Sequence, residues 1–321
     1  MAGDPRGVGG KATAFLFPGQ GAQTMGMADW VLSAHPGARR IFDRAREVLG
    51  FDVERIVREG PEEELNSTRV SQPAIFLHSM ALLDLMASRA GSIEALPASA
   101  AAGLSLGEYS ALVFAGALQM EEALTIIEAR GRLMQEACDR EPGTMVTVLG
   151  LAEAKVEEAV ARSRAKGPVG IANYNSPGQY VISGARPAVE AAAAAAKELG
   201  CRRAIPLRVA GAYHSPLMSS ATAKLAPLLR KASIRAPRVP FYANVTGEEV
   251  RDPEAIRDLL IRQVESPVRW ERSMRSMAAA GVDRALEVGP GRVLAGLAKS
   301  IDCGIAVASA EDEEIGKKGE A

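Results

Sequence analysis

The sequence predicts an α/β protein in which a large subdomain, built on a mostly parallel sheet, is interrupted by a small α+β subdomain. Three observations carry this expectation. Over the first 140 residues, short apolar runs alternate with amphipathic helical patterns, as in a chain that feeds parallel strands through helical crossovers. Between 141 and 208 the order becomes strand, helix, strand, strand, helix, strand, which is that of a ferredoxin-like unit. Beyond 208, strand-like runs near Val239–Ala243 and Arg284–Val288 return the chain to the first sheet. The large subdomain is thus expected over 11–140 and 209–310, the small one over 141–208, and flexible tails over 1–10 and 311–321.

The elements follow in order. An apolar strand, Thr13–Phe17, runs into Pro18-Gly19-Gln20-Gly21. Helical patterns cover Met25–Ser33 and Pro36–Leu49. A long helix spans Gln72–Ala90, with Ser71 and Pro73 near its start and Gly91 at its end. A small-residue strand, Ala98–Ala102, leads through Ser105 into a helix from Leu106 to Ala115, and another helix runs from Glu121 to Ala137. The insertion reads as strand Thr144–Leu149, helix Glu153–Lys166, strands Val169–Ala172 and Gln179–Ser183, helix Pro187–Leu199 and strand Ala204–Val209. Alanine is the best helix former, so the Ala191–Ala196 run reads as helix rather than as a low-complexity spacer.

Composition narrows the class. Hydrophobic residues make up 47% of the 321, enough for a core without staples. A net charge of −1 offers no global field for nucleic acid. The three cysteines, Cys138, Cys201 and Cys303, lack metal-ligand spacing and do not form a disulfide framework, which fits a reducing cytoplasm. No metal site is expected. Residues 1–10 lack the apolar core of a signal peptide, and no apolar run reaches the roughly 18 residues of a membrane span. Lys11 is followed by Ala12, and Pro5 stands where a phosphate loop needs glycine, so no nucleotide loop is implied. A monomer is the default expectation.

Gly103-Leu104-Ser105-Leu106-Gly107, between a strand and a helix, has the pattern of a nucleophile elbow, which makes the larger subdomain α/β-hydrolase-like. The serine needs a sharp turn, and side chains two residues either side would collide with the crossing strand and helix. The helix that follows directs free N–H groups at the serine, and the Leu106 amide is a natural oxyanion donor.

A serine nucleophile needs a base, and three histidines are available. His35 precedes Pro36 in a polar connection and reads as a surface loop residue. His78 has Ala74, Ile75, Ala81 and Leu82 at helical spacing and reads as a satisfied core histidine. His214 lies in a loop before Ser215-Pro216, the cap and first position of a helix, and by elimination is the base. Asp139 is the only aspartate between Ser105 and His214, and no glutamate there stands out as buried. A weak third member is tolerable when the leaving group is a thiol of pKa about 8.5, so the pattern points to thioester chemistry, with a backbone carbonyl available to orient the ring.

Arg130 is misplaced for a solvated arginine. Its neighbours at three and four positions, Ile126, Ile127, Leu133 and Met134, are all apolar, so the guanidinium projects from a packing face and calls for a partner. An internal salt bridge and a substrate carboxylate both satisfy that demand.

Together these residues resemble the malonyl-CoA:acyl carrier protein transacylases of fatty-acid synthesis and the acyltransferase domains of polyketide synthases, over about residues 12 to 305. The likeness rests on Phe17-Pro18-Gly19-Gln20-Gly21, on the segment from Gly103 to Leu112, and on Arg130-Gly131 with Met134-Gln135. It continues through Asn173-Tyr174-Asn175-Ser176-Pro177-Gly178-Gln179, His214, Gln263 and Glu287-Val288-Gly289-Pro290-Gly291. The resemblance implies that Ser105 carries the acyl group, that His214 is the base, and that the Gln263 main-chain carbonyl orients it. It also implies that Arg130 pairs with the malonyl carboxylate, that Gln20 and Leu106 form the oxyanion hole, and that Asn173 lines the pocket. The substrates implied are malonyl-CoA and phosphopantetheinylated acyl carrier protein, with no cofactor. Leu104 stands where a histidine is usual, which leaves the pathway, fatty acid or polyketide, open. Tyr213 occupies a position associated with extender choice, and its ring should crowd a 2-methyl substituent. Because carrier proteins are acidic, Arg202, Arg203, Arg208, Arg230, Lys231 and Arg235 are candidates for a docking patch.

Overall fold

The computed structural model describes residues 12–316. The order is β1 (Ala12–Phe17), α1 (Asp29–Ala34), α2 (Pro36–Leu49), α3 (Val53–Glu59), α4 (Glu62–Asn66), α5 (Thr68–Ala90), β2 (Ala98–Gly103), α6 (Gly107–Phe114) and α7 (Met120–Arg140). Next come β3 (Gly143–Leu149), α8 (Glu153–Ser163), β4 (Val169–Ser176), β5 (Gln179–Ala185), α9 (Arg186–Glu198) and β6 (Arg203–Pro206). The chain ends with α10 (Ser219–Lys231), β7 (Phe241–Ala243), β8 (Glu248–Val250), α11 (Pro253–Gln263), α12 (Trp270–Ala279), β9 (Val282–Glu287), α13 (Val293–Ile301), β10 (Ala306–Ser309) and α14 (Ala310–Gly316).

The strands form two sheets. The larger has the order β10-β9-β1-β2-β7-β8 and is parallel except for β8, which pairs antiparallel with β7. Alternation along β1 sends Phe15 and Phe17 to one face and Ala14 and Leu16 to the other. On the first face they meet the core of α2, α5, α6 and α7; on the second they meet Trp270, Met274 and Met277 of α12 and Leu294 and Leu297 of α13. Covering both faces with helices is what lets β1 be apolar on every inner position. The smaller sheet is antiparallel, order β4-β5-β3-β6, with Val156 and Val160 of α8 and Val189 and Ala192 of α9 closing its core.

Several expectations change. The long helix starts at Thr68, not Gln72, so Pro73 lies inside it. A proline this close to the start costs one backbone bond, which the buried face of the helix offsets. That helix has the length and apolarity of a membrane span, yet 89% of its most apolar window is buried inside the protein, so it is core. The short helices α3 and α4 gave no long periodic pattern to read, and β6 stops at Pro206 rather than Val209. The tail expected over 311–321 is ordered as far as Gly316: α14 buries Glu314, which pairs with Arg89 of α5. The other expected tail, 1–10, the excluded phosphate loop and residues 317–321 lie outside the described residues.

Candidate active site

The site forms at the carboxyl ends of β1, β2 and β7, the edge of a parallel sheet where ligands are usually held. Between β2 and α6, Ser105 takes φ +53°, a left-handed conformation that serine rarely adopts. The crossing is tight. A Cβ on Gly103 would lie 1.9 Å from the Gly107 carbonyl carbon, and one on Gly107 would lie 2.1 Å from the Phe17 carbonyl oxygen, so neither position admits a side chain. The turn is also tied to the rest of the sheet: the Leu104 N–H donates to the Phe17 carbonyl (2.9 Å), and the Ser105 N–H donates to Asn244 Oδ1 (2.6 Å).

His214 reaches the serine from the loop after β6. It too has a positive φ, +55°, and its N–H is held by the Val264 carbonyl at 3.0 Å. Its Nε2 lies 2.9 Å from Ser105 Oγ, while its Nδ1 faces the main-chain carbonyls of Gln263 (3.0 Å) and Ser266 (3.1 Å). Carbonyls only accept, so the proton of a neutral ring sits on Nδ1 and the lone pair of Nε2 faces the serine. Burial, helped by the nearby Arg130 charge, pushes the His214 pKa down to about 4, which keeps the ring neutral near pH 7. The sequence offered no convincing acid partner, and the ring is oriented by backbone instead.

Arg130, 1% exposed on α7, enters the same space. Its two terminal nitrogens donate to Gln72 Oε1 (2.6 Å), to Gln263 Oε1 (2.9 Å) and to Ser105 Oγ (2.9 Å), and its guanidinium lies 5.9 Å from the centre of the Tyr109 ring. It forms no ion pair with a carboxylate among the described residues, so the internal salt bridge is absent: its direct partners are neutral amides and a hydroxyl. Burial lowers its pKa from the usual arginine value, but a guanidinium stays charged in proteins.

The other expected residues are placed as follows. Leu106 is fully buried at the start of α6, and Gln20, two residues after Pro18, donates weakly to Thr68 Oγ1 (3.4 Å). Tyr213 is buried, with its hydroxyl 2.5 Å from Thr68 Oγ1. Leu104 packs beside the core on the far face of the sheet. Asn173 is buried in β4 and bridges in parallel to Val268; among the described residues it makes no hydrogen bond to Ser105, His214 or Arg130. His35, read as a surface loop residue, is instead a half-buried cap of α2 bonded to Asp84 (2.7 Å). His78 is a core residue, as read, but not a satisfied one: neither ring nitrogen makes a well-formed hydrogen bond among the described residues.

Sequence reasoning missed Gln72, Glu108 and Asn244. Each is a polar residue in an apolar setting, Gln72 and Glu108 on buried helix faces and Asn244 just past a strand of the parallel sheet. Among the described residues no group of three or more His, Cys, Asp or Glu could hold a metal ion.

Comparison with known proteins agrees with this geometry. Residues 14–308 match the acyl transferase domain model. The chain is 43% identical to the malonyl CoA-acyl carrier protein transacylase of Escherichia coli K12 over 288 residues, 90% of this chain and 92% of that one. It is 39% identical to the Bacillus subtilis protein of the same description, covering 94% of each. Among solved structures, an acyl carrier protein S-malonyltransferase from Vibrio cholerae matches with a TM-score of 0.88 and 39% identity, covering 92% of this chain and 96% of the other. A malonyl-transacylase in complex with its type II polyketide synthase acyl carrier protein matches at 0.89 and 40%, covering 93% and 95%. The chain belongs to the acyl transferase domain family.

Proposed function

We propose that this chain is a malonyl-CoA:acyl carrier protein transacylase that moves malonyl groups through an ester on Ser105. One observation carries the reading: Ser105 Oγ lies 2.9 Å both from a neutral imidazole and from a buried guanidinium that has no carboxylate partner among the described residues. The first is a base for the nucleophile; the second is a seat for the free carboxylate of malonate, which arginine binds in bidentate fashion.

The reaction runs in two halves. Ser105 Oγ attacks the thioester carbonyl and gives its proton to His214 Nε2. The carbon–sulfur bond breaks, and coenzyme A leaves with that proton. The phosphopantetheine thiol of acyl carrier protein then gives its proton to His214, attacks the malonyl-serine ester, and returns the serine oxygen, which recovers the proton. The amides of Leu106 and Gln20 take the negative charge of each tetrahedral intermediate, and the Gln263 carbonyl keeps the imidazole in the working tautomer. No cofactor or metal takes part. Tyr213 and Leu104 shape the acyl pocket, with Asn173 at its edge. The large subdomain (11–140 and 209–310) is α/β-hydrolase-like, and 141–208 is a ferredoxin-like insertion, a reading supported by the 4-1-3-2 order its strands take along the antiparallel sheet. The enzyme acts as a cytoplasmic monomer that serves fatty-acid synthesis. Supply of a polyketide synthase is a second reading, favoured by Leu104 and by the likeness to the polyketide transacylase.

The test is intact-mass measurement after incubation with malonyl-CoA. A malonyl adduct mapping to Ser105, discharged by carrier protein, is expected. An active preparation with no adduct would overturn the reading, and steady hydrolysis of malonyl-CoA unaccelerated by carrier protein would make the chain a thioesterase.

A further inference from the structure

The peptide of Ser105 is held by side chains from two distant segments. Its N–H donates to Asn244 Oδ1 (2.6 Å), and its carbonyl accepts from Gln263 Nε2 (2.8 Å). Asn244 also donates from Nδ2 to the Gly103 carbonyl (2.6 Å), which spans the turn. A single carboxylate joins the two holders. Glu108, 2% exposed on the first turn of α6, accepts the Asn244 backbone N–H at Oε1 (2.7 Å) and the Gln263 side-chain N–H at Oε2.

The polarity of this chain is set from one end. Arg130 has only donors, so Gln263 must show it the carbonyl Oε1. The Gln263 NH2 group then faces Ser105 O and Glu108 Oε2, and both must accept. A protonated Glu108 puts a hydroxyl hydrogen on a carboxyl group whose two contacts are both N–H donors. Turning the Gln263 amide over to receive that hydrogen would set carbonyl against the Ser105 carbonyl and NH2 against Arg130. The charged form alone satisfies every member.

We propose that Glu108 is a positioning residue whose ionised carboxylate locks Gln263 and Asn244 around the Ser105 peptide, so that the reactivity of the nucleophile depends on that carboxylate staying charged. It touches neither the reacting oxygen nor the acyl group; it acts through the two amides. The inference rests on Ser105 being the acylated residue. The charged and titratable groups facing Glu108 are Arg130 from α7 and Tyr109 on its own helix, while β7 and α11 bring only the amides of Asn244 and Gln263. Burial raises its pKa to about 7, against the lowering effect of the two amides and the Arg130 charge. His214, at about 4, titrates well below it. Reactivity should therefore be complete above pH 7 and fall as Glu108 takes up a proton below it.

The experiment follows the second-order rate at which a neutral fluorophosphonate labels Ser105 between pH 5 and 9, read by intact mass on the full chain. This probe has no group that titrates in the window. In the unaltered chain the rate is expected to fall on the acid side of about pH 7. Glu108→Gln, which cannot accept at both oxygens, is expected to label about 10- to 100-fold more slowly at pH 8, the scale of a lost charge-assisted hydrogen bond. Its profile should show no limb near 7. Gln263→Met leaves the backbone carbonyl that orients His214 in place but removes one of the two amides through which Glu108 acts, so it should shrink that limb, whether or not the Glu108 variant folds. A flat profile in the unaltered chain, a limb near 7 that persists in Glu108→Gln, or one that keeps its full depth in Gln263→Met, would overturn the inference and leave the nucleophile reading intact. No labelling at any pH would overturn both.

Discussion

Two of the three imidazoles, His78 and His214, are buried, and burial pushes both pKa values down to about 4. Their surroundings could hardly differ more. His214 stands between two carbonyls and a serine, and every polar atom it presents is used. His78, in the middle of α5, makes no well-formed hydrogen bond among the described residues, and its Nε2 lies 3.8 Å from a Glu311 carboxylate oxygen. A depressed pKa therefore says only that a ring is kept from water. What equips His214 for the proposed role of base is the fixed tautomer and the aimed lone pair, which come from backbone carbonyls brought in by the end of α11 and the loop after it.

The sharpest way to break this contrast is to delete each ring. His214→Ala should lower the rate of carrier-protein malonylation by about 10³-fold, the usual scale for a general base. His78→Leu should leave it within about twofold, and a large loss there would mean that the two sites communicate. Next in size is Arg130→Ala, expected to cut malonyl transfer by about 100-fold through loss of the carboxylate's charge-assisted bonds. The same variant should gain relative activity on acetyl-CoA, and intact malonyl transfer would remove the carboxylate role. On stability, His78→Leu should hold or raise the thermal midpoint near pH 7, because it replaces a buried polar ring that makes no well-formed hydrogen bond among the described residues by an apolar side chain, a gain of about 1 kcal/mol. It should also soften acid unfolding. Both rings bind a proton more weakly when folded than the usual 6.5, so the stability they contribute is complete above that value and is lost as pH falls from 6.5 toward 4. Removing one ring removes part of that slope, and denaturant titrations at pH 7 and pH 5 would measure it. The smallest effect should be Tyr213→Phe, which gives up the bond to Thr68 for about 1 kcal/mol of stability, read as a shift in the denaturant midpoint.

What the sequence disclosed follows the range of the interaction. The strand–turn–helix around Ser105 was legible because local sterics impose its glycines, and Arg130 was legible because four apolar neighbours betray its face. His214 could be reached by elimination among three rings. Gln72, Asn244 and Glu108 could not, because they lie 33, 139 and 3 residues from Ser105 and their importance appears only when α5, β7 and α11 converge. Even Glu108, so close in the chain, looked like one more acidic residue near a helix start, where a carboxylate is commonplace. The short helices α3 and α4 and the end of β6 were missed for a different reason. Elements of this length carry too few periods to stand out, and tertiary packing fixes them.

The paired glycines at 103 and 107 have a consequence for anyone who would redesign this enzyme. Beneath Ser105 three backbone segments touch without side chains between them, so a library that randomises the whole motif spends two of its five columns on positions with one viable letter. The nearest side chains that could vary are those of Leu104, packed against the far-face core, and Tyr213, buried against Thr68. Under the proposed reading of the acyl pocket, new acyl preferences would be sought at those two positions, while the backbone beneath Ser105 stays as it is.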